Sequence, residues 1–178
     1  MENSMNLQEK MRIIEDFPTK GISYKDITTI LSDKEAFQEA IHQLQAPLKD
    51  LDYDYIMGIE ARGFIMGAAL AYAEDKGFLM ARKAGKLPGH TVSYSYDLEY
   101  GKATIELDMD SVPEGARVVV LDDLLATGGT AKACAKLIEK AGGQVALALF
   151  LTELTDLPGR EVLEKEGYPV VSILKWTH

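Results

Sequence analysis

Two adjacent carboxylates, Asp122 and Asp123, stand in the stretch VVVLDDLLATGGT, between a short apolar run and a small glycine-rich turn. The turn has the composition of an anion-binding loop. The first N–H groups of a helix lack intrahelical acceptors and favour anions, and glycines let the backbone approach a ligand closely. Threonine hydroxyls add further donors. The sequence therefore predicts a site for a phosphate monoester formed by Ala126, Thr127, Gly128, Gly129 and Thr130.

The acidic pair indicates that the anion is a sugar phosphate. Carboxylates accept hydrogen bonds from a vicinal diol, as the acid of a dinucleotide-binding fold does from a ribose, and they attract Mg²⁺ or the waters around it. With the phosphate at one end of the turn and the diol at the other, the negative charges need not collide. A plain strand–turn–helix would explain the two glycines, but it would not explain tandem acids at the top of a buried strand.

The elements that position these residues follow from the apolar pattern. Short apolar runs at 55–59, 78–82, 117–121, 145–151 and 170–174 alternate with helical segments at 63–77, 130–141 and 158–166. This alternation predicts an α/β fold with a mostly parallel, twisted sheet flanked by helices. Ligands of such sheets bind at the carboxyl ends of the strands. We expect the strand 117–121 to end at Asp122, the loop to run from Asp123 to Gly129, and a helix to begin at Thr130.

Two regions differ from this alternation. Residues 91–108 alternate with a period of two, which predicts a half-exposed antiparallel hairpin that projects from the core. At the N-terminus, helical spacing predicts a helix over 4–15 with Ser4 as a cap, followed by a loop. A capping box at Ser32 and Glu35 predicts the start of a second helix, which Pro47 ends or kinks. We expect one domain over 1–178.

Composition limits the class of protein. Of 178 residues, 47% are hydrophobic and 26% charged, as in soluble globular proteins, and the net charge of −9 disfavours nucleic acid or an anionic membrane as the main partner. The one cysteine, Cys134, and the absence of a signal-peptide pattern or a membrane-length apolar run predict a cytoplasmic protein. The phosphate loops of ATPases and dehydrogenases, a nucleophile elbow and a zinc cluster are all missing from the sequence.

The stretch VVVLDDLLATGGT resembles the phosphoribosyl-pyrophosphate signature of the type I phosphoribosyltransferases. Together with DFPTKGISYKDITTIL, ARGF, RKAGKLPG and SYDLEYGK, it resembles the adenine phosphoribosyltransferases of that family, in order from about Phe17 to Pro158. The resemblance implies transfer of a phosphoribosyl group from phosphoribosyl pyrophosphate (PRPP) to adenine, which gives AMP and pyrophosphate in purine salvage. It also implies a homodimer. The implied cofactor is Mg²⁺, held mainly by PRPP and only indirectly by Asp122 and Asp123.

The same resemblance implies roles for residues outside the acidic stretch. Residues 1–33 would form an N-terminal helix and a hood over the base, and 83–100 a mobile catalytic loop and hairpin. A cis peptide is implied at Glu60–Ala61. The implied catalytic residues are Arg62, Arg82, Lys83, Glu99 and Tyr100, and the further substrate-binding residues are Ser23, Tyr24, Lys25, Glu60, Ala61, Lys86 and Leu124.

Simpler interpretations stay open at this point. Arg62 would otherwise be a surface partner of Glu60, the basic run at 82–90 a solvated face, and Glu99 a solvated turn acid. The same fold would also suit an enzyme for another purine base, or a regulator that senses PRPP or purine without catalysis. The chain departs from the family pattern at Tyr24, where phenylalanine is common, at Ala61, where serine is common, and at Thr29, where proline is frequent.

Overall fold

The computed structural model describes residues 5–98 and 101–178. Its strands are β1 (Arg12–Ile14), β2 (Tyr24–Asp26), β3 (Tyr55–Ile59), β4 (Gly77–Lys83), β5 (Thr91–Leu98), β6 (Gly101–Asp108), β7 (Arg117–Leu125), β8 (Gln144–Leu154) and β9 (Val170–Trp176). Its helices are α1 (Leu7–Lys10), α2 (Thr28–Ser32), α3 (Lys34–Gln45), α4 (Arg62–Ala73), α5 (Gly129–Lys140) and α6 (Gly159–Lys165). None of the helices in these two ranges is long and apolar enough to cross a membrane.

Seven strands form one sheet in the order β5-β6-β4-β3-β7-β8-β9. The pairs β3/β4, β3/β7, β7/β8 and β8/β9 are parallel, whereas the β5/β6 hairpin and its junction with β4 are antiparallel. The predicted α/β fold with a mostly parallel sheet and an antiparallel hairpin is therefore confirmed. The hairpin does not project freely, however, because β6 joins the sheet at Arg82 and Lys83 of β4 and β5 packs against α5.

Apolar side chains on the two faces of the sheet form two cores. On one face, Val118 and Val120 of β7 pack with α5; on the other, Val119 and Leu121 pack with α3 and α4. This alternation along β7 follows from the period of two in a strand.

The N-terminal prediction is partly wrong. Instead of a helix over 4–15, α1 has a single turn capped by Asn6, and β1 follows it and pairs with β2 in a separate two-stranded sheet. Ser4 lies outside the described residues. The strand forms because Arg12 hydrogen-bonds to Asp26 across the pair, a long-range contact that local helical spacing does not reveal.

The second helix begins one residue later than predicted. Asp33, not Ser32, is the N-cap of α3, and its carboxylate accepts hydrogen bonds from the N–H groups of Glu35 and Ala36. A carboxylate is as good a cap as a hydroxyl, so local sequence alone does not separate the two neighbours. Helix α3 ends at Gln45 and is followed by a 3₁₀ turn that contains Pro47, which confirms that this proline lies at the helix end.

Candidate active site

The predicted phosphate loop lies between β7 and α5. Strand β7 continues to Leu125, beyond its predicted end at Asp122, and α5 begins at Gly129 rather than Thr130. Gly128 takes the left-handed conformation with φ of 83°, and no side chain caps the helix start. The N–H groups of the first turn of α5 therefore remain available to an anion.

Asp122 and residues 124–131 line a cavity of about 100 Å³ at this point. All five residues predicted to bind phosphate, Ala126, Thr127, Gly128, Gly129 and Thr130, belong to this lining, as does Leu124. The loop, the threonine hydroxyls and one of the two acids thus face one small polar space.

The two acids have different partners. Asp122 lines this cavity, and its Oδ1 would lie 3.0 Å from a Cβ atom on Gly63 of α4, whereas Asp123 is buried and pairs with Arg62 at the start of the same helix. The prediction that the strand ends at Asp122 is wrong for a physical reason: β8 continues alongside β7 and pairs with it as far as Leu125. Both acids therefore belong to β7 rather than to the loop, and both lie beside the first turn of α4.

Burial raises the pKa of Asp122 well above its ordinary value, and the neighbouring charge of Asp123 raises it further. The Asp123 N–H donates a hydrogen bond of 2.9 Å to Oδ1 of Asp122, which offsets the effect only in part. No lysine or arginine forms an ion pair with Asp122 among residues 5–98 and 101–178. A cation or a hydroxyl pair brought by a ligand would satisfy this carboxylate.

Arg62 joins the acidic pair to the predicted base hood. It is the first residue of α4, its Nε lies 2.7 Å from Oδ2 of Asp123, and its Nη1 donates a hydrogen bond of 2.6 Å to the Tyr24 hydroxyl. The simpler interpretation, a surface pair between Arg62 and Glu60, is wrong, because Glu60 pairs with Arg82 instead. Arg62 therefore lies where the hood and the strand end meet.

Glu60 organises the basic residues at the ends of β3 and β4. Its carboxylate accepts hydrogen bonds of 3.3 Å from Nε and from Nη2 of Arg82, and one of 2.9 Å from the Lys83 N–H. These bonds, first those from Arg82, hold the pKa of Glu60 below its ordinary value. Arg82 also donates to the carbonyl of Lys86, at 3.3 Å. The peptide between Glu60 and Ala61 is cis, as predicted.

The residues predicted to form the hood lie in β2 and in the loop before it. The Tyr24 ring packs edge-on against Phe17, with ring centroids 5.2 Å apart. The Lys25 ammonium donates to the Ser23 carbonyl and to the Ser23 hydroxyl, both at 2.9 Å, and lies 5.7 Å from the Trp176 ring centre. The predicted backbone acceptor of Ser23 is thus already paired with Lys25, a contact that the sequence analysis missed.

The sequence analysis also missed a backbone contact of Gly159 with Ala126 in the predicted phosphate loop, which we call the brace. Gly159, at the start of α6, donates its N–H to the Ala126 carbonyl at 3.0 Å, and a Cβ atom on Gly128 would lie 2.8 Å from the Gly159 carbonyl. The next residue, Arg160, forms two hydrogen bonds of 2.9 and 2.6 Å with the buried carboxylate of Glu153. In the sequence Gly159 is only the second residue of the predicted helical segment 158–166, and no motif indicated this contact.

The hairpin closes the other side of the site. Ile59, Glu60, Lys83, Thr130 and residues of β5 and β6 line a second cavity, of about 420 Å³. The Tyr96 hydroxyl lies 2.9 Å from Oγ1 of Thr130, so the hairpin touches the phosphate loop directly. The predicted catalytic residues Glu99 and Tyr100 lie outside the described residues, and their roles stay predictions.

The comparisons with known proteins agree with this geometry. Residues 23–176 match the model of the phosphoribosyl transferase domain. The chain belongs to the phosphoribosyltransferase family, which confirms the family resemblance of the motifs. It is 57% identical to an adenine phosphoribosyltransferase of Alkaliphilus metalliredigens, over 97% of this chain and 100% of that protein.

Solved structures give the same relationship. The crystal structure of adenine phosphoribosyltransferase from Thermoanaerobacter pseudethanolicus has a TM-score of 0.91 and 50% identity, over 96% of this chain and 100% of that one. The enzyme from Saccharomyces cerevisiae, crystallised with adenine and D-2,5-dideoxy-2,5-imino-altritol 1,6-bisphosphate, has a TM-score of 0.89 and 35% identity, over 94% and 96%.

Proposed function

We propose that this protein is an adenine phosphoribosyltransferase, which joins adenine to C1 of PRPP and releases pyrophosphate. The observation that carries the proposal is the convergence of three groups at the carboxyl end of one sheet: the anion loop before α5, the acids of β7, and the basic residues around Glu60. The high identity to adenine phosphoribosyltransferases over nearly their whole length supports it.

Each end of PRPP has a matching set of groups. The 5′-phosphate suits the free N–H groups and hydroxyls of residues 126–130, and the ribose diol suits the carboxylates of Asp122 and Asp123. The pyrophosphate would then extend towards Arg62, Arg82 and Lys83, with the backbone of Glu60 and Ala61 beside it. In this assignment the 5′-phosphate and the pyrophosphate bind at different places, the first at the loop before α5 and the second at the basic residues around Glu60.

The reaction needs cations at the leaving group. Positive charge grows at C1 while pyrophosphate departs, and fixed donors aimed at the departing oxygens lower the barrier most effectively. Before substrate binds, Arg62 is held by Asp123 and Arg82 by Glu60. These pairs keep the guanidinium groups close to where they would act, and they exchange one anionic partner for another when pyrophosphate arrives.

Asp122 and Asp123 fit a magnesium ion that takes most of its ligands from the substrate. No group of three or more metal-binding side chains occurs in the described part of the chain. Mg²⁺ typically uses one or two carboxylates, with substrate phosphates and waters completing its shell, and Asp122 and Asp123 can supply that share. When bound, the ion would neutralise charge on the pyrophosphate.

Base recognition would come from the hood. Tyr24 and Leu124 would cover the two faces of the purine, and the backbone of Ser23 and Lys25 would read its edge. The Lys25 ammonium, which now occupies the Ser23 carbonyl, would have to yield for that carbonyl to accept from the 6-amino group of adenine. Glu99 and Tyr100, by the family pattern, would act near the base and C1.

Turnover with each base tests the proposal. Purified protein is assayed with PRPP, MgCl₂ and adenine, hypoxanthine, guanine or xanthine in turn, and nucleotide formation is followed. We expect adenine to be used and the oxopurines to be refused by about 10⁴ in kcat/KM, because a backbone carbonyl cannot turn to match an acceptor at C6. An oxopurine within tenfold of adenine would point to an enzyme for another base. No turnover with any base, despite PRPP binding, would favour a non-enzymatic sensor.

The proposal includes a homodimer in the cytoplasm. Exposed apolar side chains support the dimer: Ile65 and Tyr72 lie seven residues apart on α4, and Met80 is on the neighbouring strand β4, close to Arg82. Sedimentation should give twice the monomer mass, and Tyr72→Asp should shift it towards the monomer. A wild-type monomer that is fully active at high dilution would contradict any contribution across subunits.

A further inference from the structure

Tyr96 of β5 is placed against the start of α5. Its hydroxyl lies 2.9 Å from Oγ1 of Thr130, and its ring lies beside Gly129, where a Cβ atom would be in ordinary van der Waals contact with Cδ2 at 3.5 Å. Two further contacts keep β5 on α5: the Lys140 ammonium donates to the Ser93 carbonyl at 3.1 Å and lies 5.7 Å from the centre of the Tyr94 ring. The hydroxyl of Tyr96 is therefore held at the anion loop.

The chemistry of the two hydroxyls indicates which of them donates and which accepts when phosphate is bound. A threonine hydroxyl has one proton to donate and two lone pairs that accept. When Thr130 donates its proton to a phosphate oxygen, its lone pairs are free to accept the proton of the Tyr96 hydroxyl. The tyrosine then fixes the rotamer of Thr130 and strengthens its donation, because linked hydrogen bonds polarise one another.

We propose that Tyr96 is a positioning residue that holds the Thr130 hydroxyl towards the 5′-phosphate of the phosphoribosyl substrate. The inference rests on the proposed function and deepens it. The hydrogen-bond partner of the Tyr96 hydroxyl is Thr130, so we expect its loss to lower the affinity for the phosphorylated sugar. The base would lie at the predicted hood, where Tyr24 contacts Arg62, and its affinity should not change when this hydroxyl is lost.

The test compares two conservative variants. Tyr96→Phe keeps the ring on Gly129 and removes only the hydroxyl. Tyr94→Phe makes the same change two residues earlier on the same face of β5, where the hydroxyl has no hydrogen-bond partner among the described residues. We expect Tyr96→Phe to raise KM for PRPP about threefold to tenfold, the scale of one hydrogen bond. KM for adenine and kcat should stay within about twofold of wild type, and Tyr94→Phe should change none of the three.

A double-mutant cycle shows whether Tyr96 acts through Thr130. In a Thr130→Val background, Tyr96→Phe should have no further effect on KM for PRPP, because the partner hydroxyl is gone. Equal KM values for Tyr96→Phe and Tyr94→Phe, or effects of Tyr96→Phe and Thr130→Val that simply multiply, would overturn the proposal.

Binding of ribose 5-phosphate, measured by calorimetry, separates this inference from the proposed function. It needs neither a base nor turnover. If wild type fails to convert adenine but Tyr96→Phe still weakens ribose 5-phosphate binding, the inference about Tyr96 stands while the assignment of the reaction falls. If adenine is converted and ribose 5-phosphate binds both proteins equally, the inference alone is wrong.

Discussion

Replacing Gly159 by alanine should disturb the phosphate loop from behind. Gly159 lies on α6, away from the cavity, but an added Cβ atom would be 2.3 Å from the Ala126 carbonyl oxygen and 2.7 Å from Cδ1 of Leu125. The near group is backbone, so it cannot turn aside as a side chain would. The hydrogen bond between the Gly159 N–H and that same carbonyl, 3.0 Å long, would be distorted as well.

The size of the effect follows from the distance. Ordinary contacts of a Cβ atom begin near 3.4 Å, so Ala126 and Gly159 must separate by about 1 Å. Overpacking of this kind costs about 1–3 kcal/mol of stability. A displacement of about 1 Å in a group that positions substrate costs about 10²-fold in rate. We therefore expect kcat/KM for PRPP to fall by about that factor.

The assay measures kcat/KM for PRPP at saturating adenine and, separately, the free energy of unfolding in urea. Gly167→Ala is the matched control at the other end of α6. Its φ of 87° strains any side chain, but no atom lies within 4 Å of the added Cβ. It should cost about 1–2 kcal/mol of stability and leave kcat/KM within twofold. Activity of Gly159→Ala within threefold of wild type would refute the brace.

Three further changes probe the other parts of the site. Arg62→Ala should lower kcat by about 10²–10³, the scale of one fixed donor at developing charge, in a saturating-substrate assay; a loss below threefold would show that its contacts with Asp123 and Tyr24 are only structural. Tyr24→Phe should leave KM for adenine within twofold, whereas Tyr24→Ala should raise it about 5-fold to 100-fold, the scale of one base–aromatic stack; equal KM values for the two variants would contradict stacking. Glu153→Gln should cost about 1–3 kcal/mol at pH 7, because it breaks a charged hydrogen-bond pair with Arg160. Since that pair holds the pKa of Glu153 below its ordinary value, its stabilisation is present above the ordinary glutamate pKa and is lost as pH falls through the lowered value. The difference in urea stability between Glu153→Gln and wild type should therefore shrink in acid, and a constant difference from pH 7 down to acid would contradict this account.

The central strands could be predicted from the sequence because their signal is local. The run 55–59 coincides with β3, and the runs at 78–82, 145–151 and 170–174 lie within β4, β8 and β9. Each is a short apolar segment bounded by turns, and both faces of the sheet are covered, so nothing distant changes the assignment. The short N-terminal pair of strands depends on contacts between residues more than ten positions apart, such as Arg12 and Asp26.

The residues of the site also divide into those that a local motif predicts and those that depend on contacts between distant segments. Residue types and spacing were enough to predict the anion loop, the acidic pair, the basic run and the family, because each is a continuous motif whose chemistry follows from a few neighbours. The alternation of apolar runs and helical segments led to the correct fold class, and the family resemblance led to the cis peptide at Glu60–Ala61.

Only the tertiary structure decided which groups face each other. The pairing of β7 with β8 extends the strand through both acids, of which Asp122 lines the cavity at the loop and Asp123 pairs with Arg62. The brace from Gly159 and the hydroxyl of Tyr96 reach the loop from other parts of the chain. A motif shows which chemistry a residue and its sequence neighbours can supply. Strand register and helix packing determine which groups its side chain faces, and these depend on contacts between distant segments.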